Sequence, residues 1–221
     1  MTDRRFVVDA PGQVLQAGRE LLRRGLVEGT AGNISARRPD GTIVITPAGL
    51  DYRDMQPEDL VVVGPDGAVV SCRDGRSPSS ETMLHLACYS AFPDVGAVIH
   101  SHPVHATMFA VTHRGIPACL DEFSLYVGGD VRCSAYAPSG RAEVGAAAVE
   151  ALRGRGAALI ANHGMVAVGP GPAQALHITS LVERAARIVW GAQALGPLVP
   201  LPAAADAAFA AAYRRDRQNP A

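Results

Sequence analysis

The segment DVGAVIHSH, residues 94–102, decides the fold prediction and gives the first sign of a functional site. Its apolar residues predict a buried strand from Val95 to His100. Side chains two positions apart on a strand point to the same face, so His100 and His102 would project together where the strand ends. Zn²⁺ takes three or four ligands from protein, however, and two half-exposed strand-end histidines explain this spacing more simply than a ligand pair.

The composition predicts one globular domain spanning residues 1–221. Hydrophobic residues make up 48% of the chain, enough for a core, and the net charge of −1 leaves no basic face for nucleic acid. No apolar stretch approaches the roughly 20 residues that span a bilayer, and the N-terminus carries no secretory signal. The four cysteines lack CxxC spacing and are interpreted as reduced thiols of a cytoplasmic protein.

Lysine is absent, because all 20 residues counted as Lys or Arg are Arg. Schiff-base chemistry requires a lysine amine, and the P-loop motif requires a lysine beside the phosphates. Lysine-dependent aldolases, pyridoxal phosphate enzymes that form an imine, and P-loop NTPases are therefore excluded. If the protein makes or breaks bonds beside a carbonyl group, a metal ion is the expected electron sink.

Short strands and helices alternate along the chain. The turn GPDG at 64–67 predicts a β-hairpin, residues 157–161 a buried strand, and residues 172–195 the longest helix. Residues from about 203 to 221 are expected to form a tail helix that is partly mobile. Hairpins mixed with helices predict an α/β fold in which one sheet carries helices on both faces.

Two further side chains join the histidine pair as candidate metal ligands. Glu81 opens a predicted helix, and His163 lies in the turn Asn-His-Gly between two apolar strands. With His100 and His102 they would form a three-imidazole, one-carboxylate set that suits Zn²⁺. Taken singly, His163 is a turn residue and Glu81 a carboxylate favoured by the helix dipole. His85, four residues after Glu81 on the same helical face, is interpreted as a packing or neighbouring residue rather than a ligand.

Three turns rich in small residues and hydroxyls predict an anion site. They are Gly29–Asn33, Pro47–Gly49 and Ser79–Ser80, the last at a helix start where free N–H groups attract anions. Each turn alone is explained by capping or by a tight bend. Grouped around a metal ion, they would suit a phosphorylated substrate.

The motifs GTAGNIS, ITPAGL, PSSETMLH, AVIHSHPVHAT and ANHGMVAVG, in this order, resemble those of the class II aldolase/adducin family. The similarity runs from about Val14 to Leu195 and is greatest to the family's fuculose-phosphate aldolases. It implies a three-layer α/β/α sandwich around a central, mainly antiparallel sheet. It also implies a C4 homotetramer with Zn²⁺ sites at subunit interfaces, where Mn²⁺ or Co²⁺ are alternatives.

The resemblance also assigns roles to individual residues. His100, His102 and His163 would be permanent metal ligands, and Glu81 a fourth ligand that becomes the general acid/base once substrate displaces it. The substrate phosphate would be bound by Thr30, Asn33, Gly49, Ser79 and Ser80. The reaction implied is retro-aldol cleavage of an L-fuculose 1-phosphate-like ketose, through an enediolate, to dihydroxyacetone phosphate and an aldehyde. Tyr213 matches a tyrosine near the C-terminus that helps protonate the aldehyde side.

Two departures from the family pattern bear on the substrate. Ala48 stands where the fuculose enzymes have a threonine, and Asp121 stands where they have a tyrosine that handles protons on the aldehyde portion. The alternatives are therefore an aldolase for 5-deoxy-pentulose 1-phosphates, or a sugar-phosphate epimerase, dehydratase or decarboxylase of the same family. A non-catalytic module of the adducin type fits less well, since that branch lacks the intact ligand set.

Overall fold

The computed structural model describes Val7 and residues 9–218. Among these residues the chain forms seven strands and seven α-helices. The strands are β1 Asn33–Arg37, β2 Ile43–Ile45, β3 Val61–Val63, β4 Val69–Ser71, β5 Ala97–Ser101, β6 Ala157–Ile160 and β7 Gly164–Gly169. The helices are α1 Ala10–Arg23, α2 Thr82–Ala91, α3 Val104–Val111, α4 Asp121–Val127, α5 Ala142–Leu152, α6 Pro172–Ala192 and α7 Ala203–Gln218.

The strands form one sheet in the order β4-β3-β2-β1-β5-β7-β6, and every neighbouring pair is antiparallel. β5, the strand that ends in the histidine pair, is fully buried inside the sheet, as its apolar sequence predicts. β4 lies at one edge and is exposed along its length. The predicted α/β fold with a mainly antiparallel central sheet is confirmed.

Helices cover both faces of the sheet because side chains alternate between the two faces. Ile34 of β1 and Ile99 of β5 belong to a core that includes buried residues of α1 and α6. Val98 points the other way, into a second core with α2 and α5. A third cluster places α3 and α4 beside α6, against β6 and β7. The arrangement is the predicted three-layer α/β/α sandwich.

One edge of the sheet collects the sequence motifs, and we call it the histidine edge. β1 runs antiparallel to both β2 and β5, so its first residue, Asn33, lies where those two strands end and is paired with His100. Ser101 is paired with Met165 at the start of β7, which brings the β6–β7 turn with His163 to the same edge. Antiparallel pairing thus gathers side chains that are far apart in sequence.

The chain after residue 192 differs slightly from expectation. α6 ends at Ala192, three residues before the predicted end, and α7 follows from Ala203 with Tyr213 buried on its inner side. Residues 219–221 lie outside the described residues, so the mobile tail and the single domain over 1–221 stay predictions. Among the described helices, none has the length and apolar character that a membrane span requires.

Candidate metal centre

Three imidazole rings meet at the histidine edge. The ring centroids of His100, His102 and His163 lie 4.6–4.9 Å apart. Their candidate ligand nitrogens all lie within 4.8 Å of one another. His100 is completely buried, whereas His102 and His163 are half-buried and leave one side of the cluster open. The structure therefore brings together the three histidines that the sequence nominated.

The ring of His100 is held in one tautomer. Its Nδ1–H donates to the main-chain oxygen of Met165 at 2.9 Å, which leaves the Nε2 lone pair facing the cluster. Nε2 of His102 lies 2.8 Å from Nε2 of His100. At this distance Nε2–H of His102 can donate to the Nε2 lone pair of His100, and a bound metal ion would take the place of that proton. A backbone-oriented ring with its other nitrogen aimed inward is typical of a metal ligand.

Glu81 completes the cluster from the residue that precedes α2. Its Oε2 lies 3.0 Å from Nε2 of His100, and its Oε1 lies 3.4 Å from Nε2 of His163. The same carboxylate accepts hydrogen bonds from Nδ2 of Asn33 and Oγ of Ser139, each at 3.0 Å. Burial opposes ionisation of Glu81, but its close contacts with His100, Asn33 and His163 outweigh it and hold its pKa below the usual range.

His102 and His163 are in the form that binds metal. Burial, followed by the charges of His100 and His163, lowers the pKa of His102 to about 4. Burial also lowers the pKa of His163. Imidazoles with depressed pKa values are neutral at pH 7 and offer a free lone pair. Together with His100 and the Glu81 carboxylate, these two rings fit the ligand set of a catalytic zinc site, so the four residues could hold a metal ion.

The depressed histidine pKa values predict how stability depends on pH. His85, a fully buried residue of α2, has its pKa lowered by burial to about 3, against 6.5 for a free histidine. Between pH 6.5 and about 4.5 the unfolded chain binds protons at His85 and His102 that the folded chain does not. We therefore expect the metal-free protein to lose stability as pH falls, by about 1 kcal/mol per pH unit for each histidine.

Urea unfolding in the presence of a chelator, measured across this pH range, checks the expectation. His85→Gln should remove one histidine's share of the slope, and His177→Ala, which removes an exposed histidine of α6, should leave the slope unchanged. A slope that does not change in His85→Gln would mean that this ring is protonated in the folded protein.

The three small-residue turns also reach the histidine edge. The turn 29–33 leads into Asn33, the cross-strand partner of His100. The turn 47–49 follows β2 and is joined to the segment before α2, since Ala48 N–H donates to Ser77 and Ser79 N–H donates to Thr46. Ser79 is buried, while Thr30, Gly49 and Ser80 are exposed. The predicted phosphate-binding residues thus lie on the same edge as the histidines.

Gly32 lets the first turn pack against the ligand strand. Its φ is +75°, and a Cβ at this position would lie 2.7 Å from the main-chain oxygen of His100. We expect Gly32→Ala to cost about 2 kcal/mol or more in unfolding free energy, because it adds a backbone clash to the strain of a left-handed residue.

Gly25→Ala is the matched control for Gly32→Ala. Its φ is +66° but nothing lies within 4 Å of a Cβ there, so only the conformational strain of about 1 kcal/mol should appear. Chemical denaturation of both variants measures the difference. Equal losses would show that the approach of Gly32 to His100 is not tight.

The two residues nominated for the aldehyde side do not join the cluster within this chain. Asp121 is exposed at the first residue of α4, and no hydrogen bond or ion pair among the described residues links it to the histidines. Tyr213 is buried, and its hydroxyl accepts a hydrogen bond from Arg217 at 3.2 Å. That hydroxyl lies beside Gly156, at the opposite end of β6 from His163.

Sequence reasoning missed two partners of Glu81. Ser139 follows Pro138 in a turn whose composition, Ala-Pro-Ser-Gly, resembles the other small-residue turns and could have drawn attention. Asn33 was assigned to phosphate, yet its amide bridges Glu81 and His85. That bridge follows from the register of β1 against β5 and from the packing of α2, neither of which is visible in the local sequence. Its phosphate role stays a prediction.

Comparison of the sequence with known proteins identifies its relatives. A family model described as Class II Aldolase and Adducin N-terminal domain matches residues 12–190. The chain is 40% identical over 177 residues to the 5-methylthioribulose-1-phosphate/5-deoxyribulose-1-phosphate aldolase of Rhodospirillum rubrum, covering 80% of this chain and 78% of that protein. It is 37% identical over 199 residues to the L-ribulose-5-phosphate 4-epimerase UlaF of Salmonella paratyphi B, covering 84% and 86% respectively.

Comparison with a solved structure shows a shared fold. The structure of L-fuculose 1-phosphate aldolase superposes with a TM-score of 0.88 at 33% identity, covering 94% of this chain and 97% of that one. The family model extends over most of the chain, including all four cluster residues. The chain therefore belongs to the class II aldolase and adducin family.

Proposed function

We propose that this protein is a metal-dependent aldolase that cleaves a ketose 1-phosphate to dihydroxyacetone phosphate and an aldehyde. The observation that carries the proposal is the meeting of three imidazoles and one carboxylate at the sheet edge where three small-residue turns also end. A metal site beside an anion site is what the chemistry of a phosphorylated ketose requires.

His100, His102 and His163 would hold the metal, with Glu81 as the fourth ligand at rest. Zn²⁺ suits this set, and Mn²⁺ or Co²⁺ are alternatives. A bound metal ion would polarise the substrate carbonyl and stabilise the negative charge that develops when the carbon–carbon bond breaks. The absence of lysine supports this route, because an imine with the protein cannot supply the same stabilisation.

Glu81 is the proposed general acid/base. Cleavage breaks the C3–C4 bond, takes the proton from the C4 hydroxyl and returns a proton to C3 of the three-carbon product. Glu81 is suited to the exchange at C3, because one oxygen is held by Asn33 and the other by Ser139, next to the histidines. Its low pKa keeps it ionised at rest, so in cleavage it takes up the proton that leaves the C4 hydroxyl before it returns one to C3.

The phosphate group is assigned to Thr30, Asn33, Gly49, Ser79 and Ser80. The exposed members offer hydroxyl and main-chain N–H donors, which bind phosphate without a lysine. Glu81 does not cap α2 with its side chain, but the N–H groups of Glu81, Thr82 and Leu84 already donate to Ser79 or Glu81, so the exposed hydroxyls carry this assignment. Ala48 contributes no hydroxyl at its position of the turn.

The far end of the sugar is the part that selects the substrate. An L-fuculose 1-phosphate-like ketose and a 5-deoxy-pentulose 1-phosphate share the phosphate end and differ there. The relative from Rhodospirillum rubrum, whose printed name includes 5-deoxyribulose-1-phosphate, supports including the second in any assay. Asp121 is the residue we assign to discrimination between them, in place of a tyrosine.

We further propose that the chain acts as a homotetramer with its sites between subunits. Asp121 is exposed and has no link to the histidines of its own chain, so it would reach a site across a contact between two copies, whereas Tyr213 is buried in its own chain and its role stays a prediction. Val104, Met108 and Val111 support such a contact, since they form an exposed apolar stripe along α3, directly after His102.

A 4-epimerase of pentulose 5-phosphates is the second candidate. The similarity to L-ribulose-5-phosphate 4-epimerase favours it, and the carboxylate of Asp121 would offer a proton carrier of a different kind from tyrosine. Epimerisation by the same bond cleavage would retain the aldehyde instead of releasing it. Dehydratase and decarboxylase activities stay as predictions, and an adducin-like binding role is the least supported because the ligand set is intact.

One assay separates these functions. The metal-loaded protein is incubated with the 1-phosphates of fuculose, rhamnulose, ribulose and 5-deoxyribulose, and any dihydroxyacetone phosphate is coupled to an NADH-dependent reductase. We expect release from at least one of them. If none of the four ketoses releases dihydroxyacetone phosphate, and the protein inverts C4 of a pentulose 5-phosphate, the epimerase replaces the aldolase as the proposed function.

A further inference from the structure

We infer that His85 is a positioning residue, which fixes through Asn33 the orientation in which the Glu81 carboxylate meets the metal-ligating histidines. The inference rests on the proposed metal site and adds to it a residue of α2 that touches neither metal nor substrate. It is carried by a continuous row of buried hydrogen bonds between Glu81 and Tyr89.

Each bond in this row has only one possible direction. The Glu81 carboxylate only accepts, so Nδ2 of Asn33 donates to it at 3.0 Å and the other amide atom, Oδ1, must accept. Nε2–H of His85 supplies that bond at 2.5 Å. Nδ1 of the same ring then accepts from Oγ of Ser35 at 2.6 Å, and Oγ of Ser35 accepts from the Tyr89 hydroxyl at 2.8 Å.

Burial makes this orientation hard to exchange for another. His85 and Ser35 are completely buried, Asn33 is 5% exposed, and Tyr89 is 6% exposed. Bulk water does not reach these groups to replace a lost hydrogen-bond partner. A reversed Asn33 amide or His85 ring would therefore leave buried polar groups unpaired. Without the Nε2–H of His85, Asn33 could turn its Oδ1 toward the carboxylate and repel it.

The chemistry of Asn33 limits His85 to an orienting role. By hydrogen bonding to both neighbours, the Asn33 amide links the orientation of one to that of the other. It does not transfer a proton from an imidazole to a carboxylate. His85 therefore does not act as a remote acid or base. Its effect should appear in the metal affinity and turnover that depend on Glu81, and metal affinity measured without substrate is the deciding reading because Asn33 is also assigned to the phosphate.

Two variants of equal polarity test the inference. In His85→Gln the terminal amide reaches about as far as Nε2 and can donate to Asn33, whereas in His85→Asn the shorter amide reaches Ser35 but not Asn33. Zn²⁺ affinity is measured by competition with a chromogenic chelator, without substrate. We expect His85→Asn to bind Zn²⁺ about tenfold more weakly, and His85→Gln to stay within about threefold of the wild type.

Turnover gives a second reading, and Tyr89→Phe is the control. In the metal-loaded enzymes kcat should fall about tenfold in His85→Asn, and His85→Gln should restore it. Tyr89→Phe removes only the outermost hydroxyl, so it should lower the melting temperature by about 2–4 °C and leave Zn²⁺ affinity unchanged.

Two results would overturn the inference: equal Zn²⁺ affinity in the two His85 variants, or a loss of Zn²⁺ affinity in Tyr89→Phe as large as in His85→Asn. If His85→Asn does not fold, His85→Leu replaces it, since it removes the Nε2–H donor to Asn33 while filling most of the buried space. An unchanged Zn²⁺ affinity in His85→Leu would then reject the inference. A wild type that binds Zn²⁺ but cleaves no ketose phosphate would reject the proposed function alone, because the affinity series does not need activity.

Discussion

Glu81→Gln is expected to lower kcat by about a thousandfold while the protein keeps its bound metal. Glutamine has nearly the same shape as glutamate, and its amide oxygen can still accept from Asn33 while its amide nitrogen faces the Ser139 hydroxyl. The three histidines are untouched, so metal binding should persist with reduced affinity. What disappears is the group that exchanges a proton with the three-carbon fragment.

Steady-state kinetics and metal analysis on the same preparation measure the two effects separately. Glu150→Gln, which removes an exposed carboxylate of α5 that pairs with Arg153, is the matched control and should leave kcat unchanged. Turnover within about threefold of the wild type in Glu81→Gln would remove Glu81 from the acid/base role. Loss of the metal together with activity would make Glu81 chiefly a ligand.

His100→Ala should abolish both metal binding and turnover. His100 is the buried ring that is oriented by Met165 and lies nearest to both His102 and Glu81. Removing a direct ligand should exceed the 10–100-fold loss that removing an outer partner typically causes, so we expect metal affinity to fall by more than about a hundredfold. The apolar core around β5 is otherwise unchanged.

Metal content of purified protein and Zn²⁺ titration check this prediction. His177→Ala, an exposed histidine on α6 that contacts Tyr126, should bind metal as the wild type does. Since His100 is completely buried, His102→Ala at a half-buried ligand is the substitute if His100→Ala does not fold. A His100→Ala protein that folds, keeps its metal and turns over substrate would contradict the assigned site.

Much of the fold could be predicted, because the local spacing of apolar residues indicates where its helices and strands lie. The buried strand before His100, the hairpin at 64–67, the helix starting at Pro172 and the tail helix from Ala203 all appear near their predicted bounds. The end of α6 was placed three residues too late. No proline or strong cap marks that end, and the segment that follows remains partly exposed.

The candidate site was predictable where residue type and spacing carry the chemistry. His100, His102, His163 and Glu81 were nominated from their motifs, and they lie together. Ser139 and the bridge between Asn33 and His85 were not foreseen, because they depend on strand register and on how α2 packs. Asp121 and Tyr213 could not be located relative to the site from local sequence, since they belong to α4 and α7, whose packing against the rest of the chain local sequence does not show.

Release of dihydroxyacetone phosphate before and after removal of metal tests the central claim most directly. The protein is assayed with the four ketose 1-phosphates as purified, after treatment with a chelator, and after Zn²⁺, Mn²⁺ or Co²⁺ is restored. We predict that release from at least one ketose 1-phosphate stops on chelation and returns with metal. Release that survives complete removal of metal, or no release under any condition, would contradict the account.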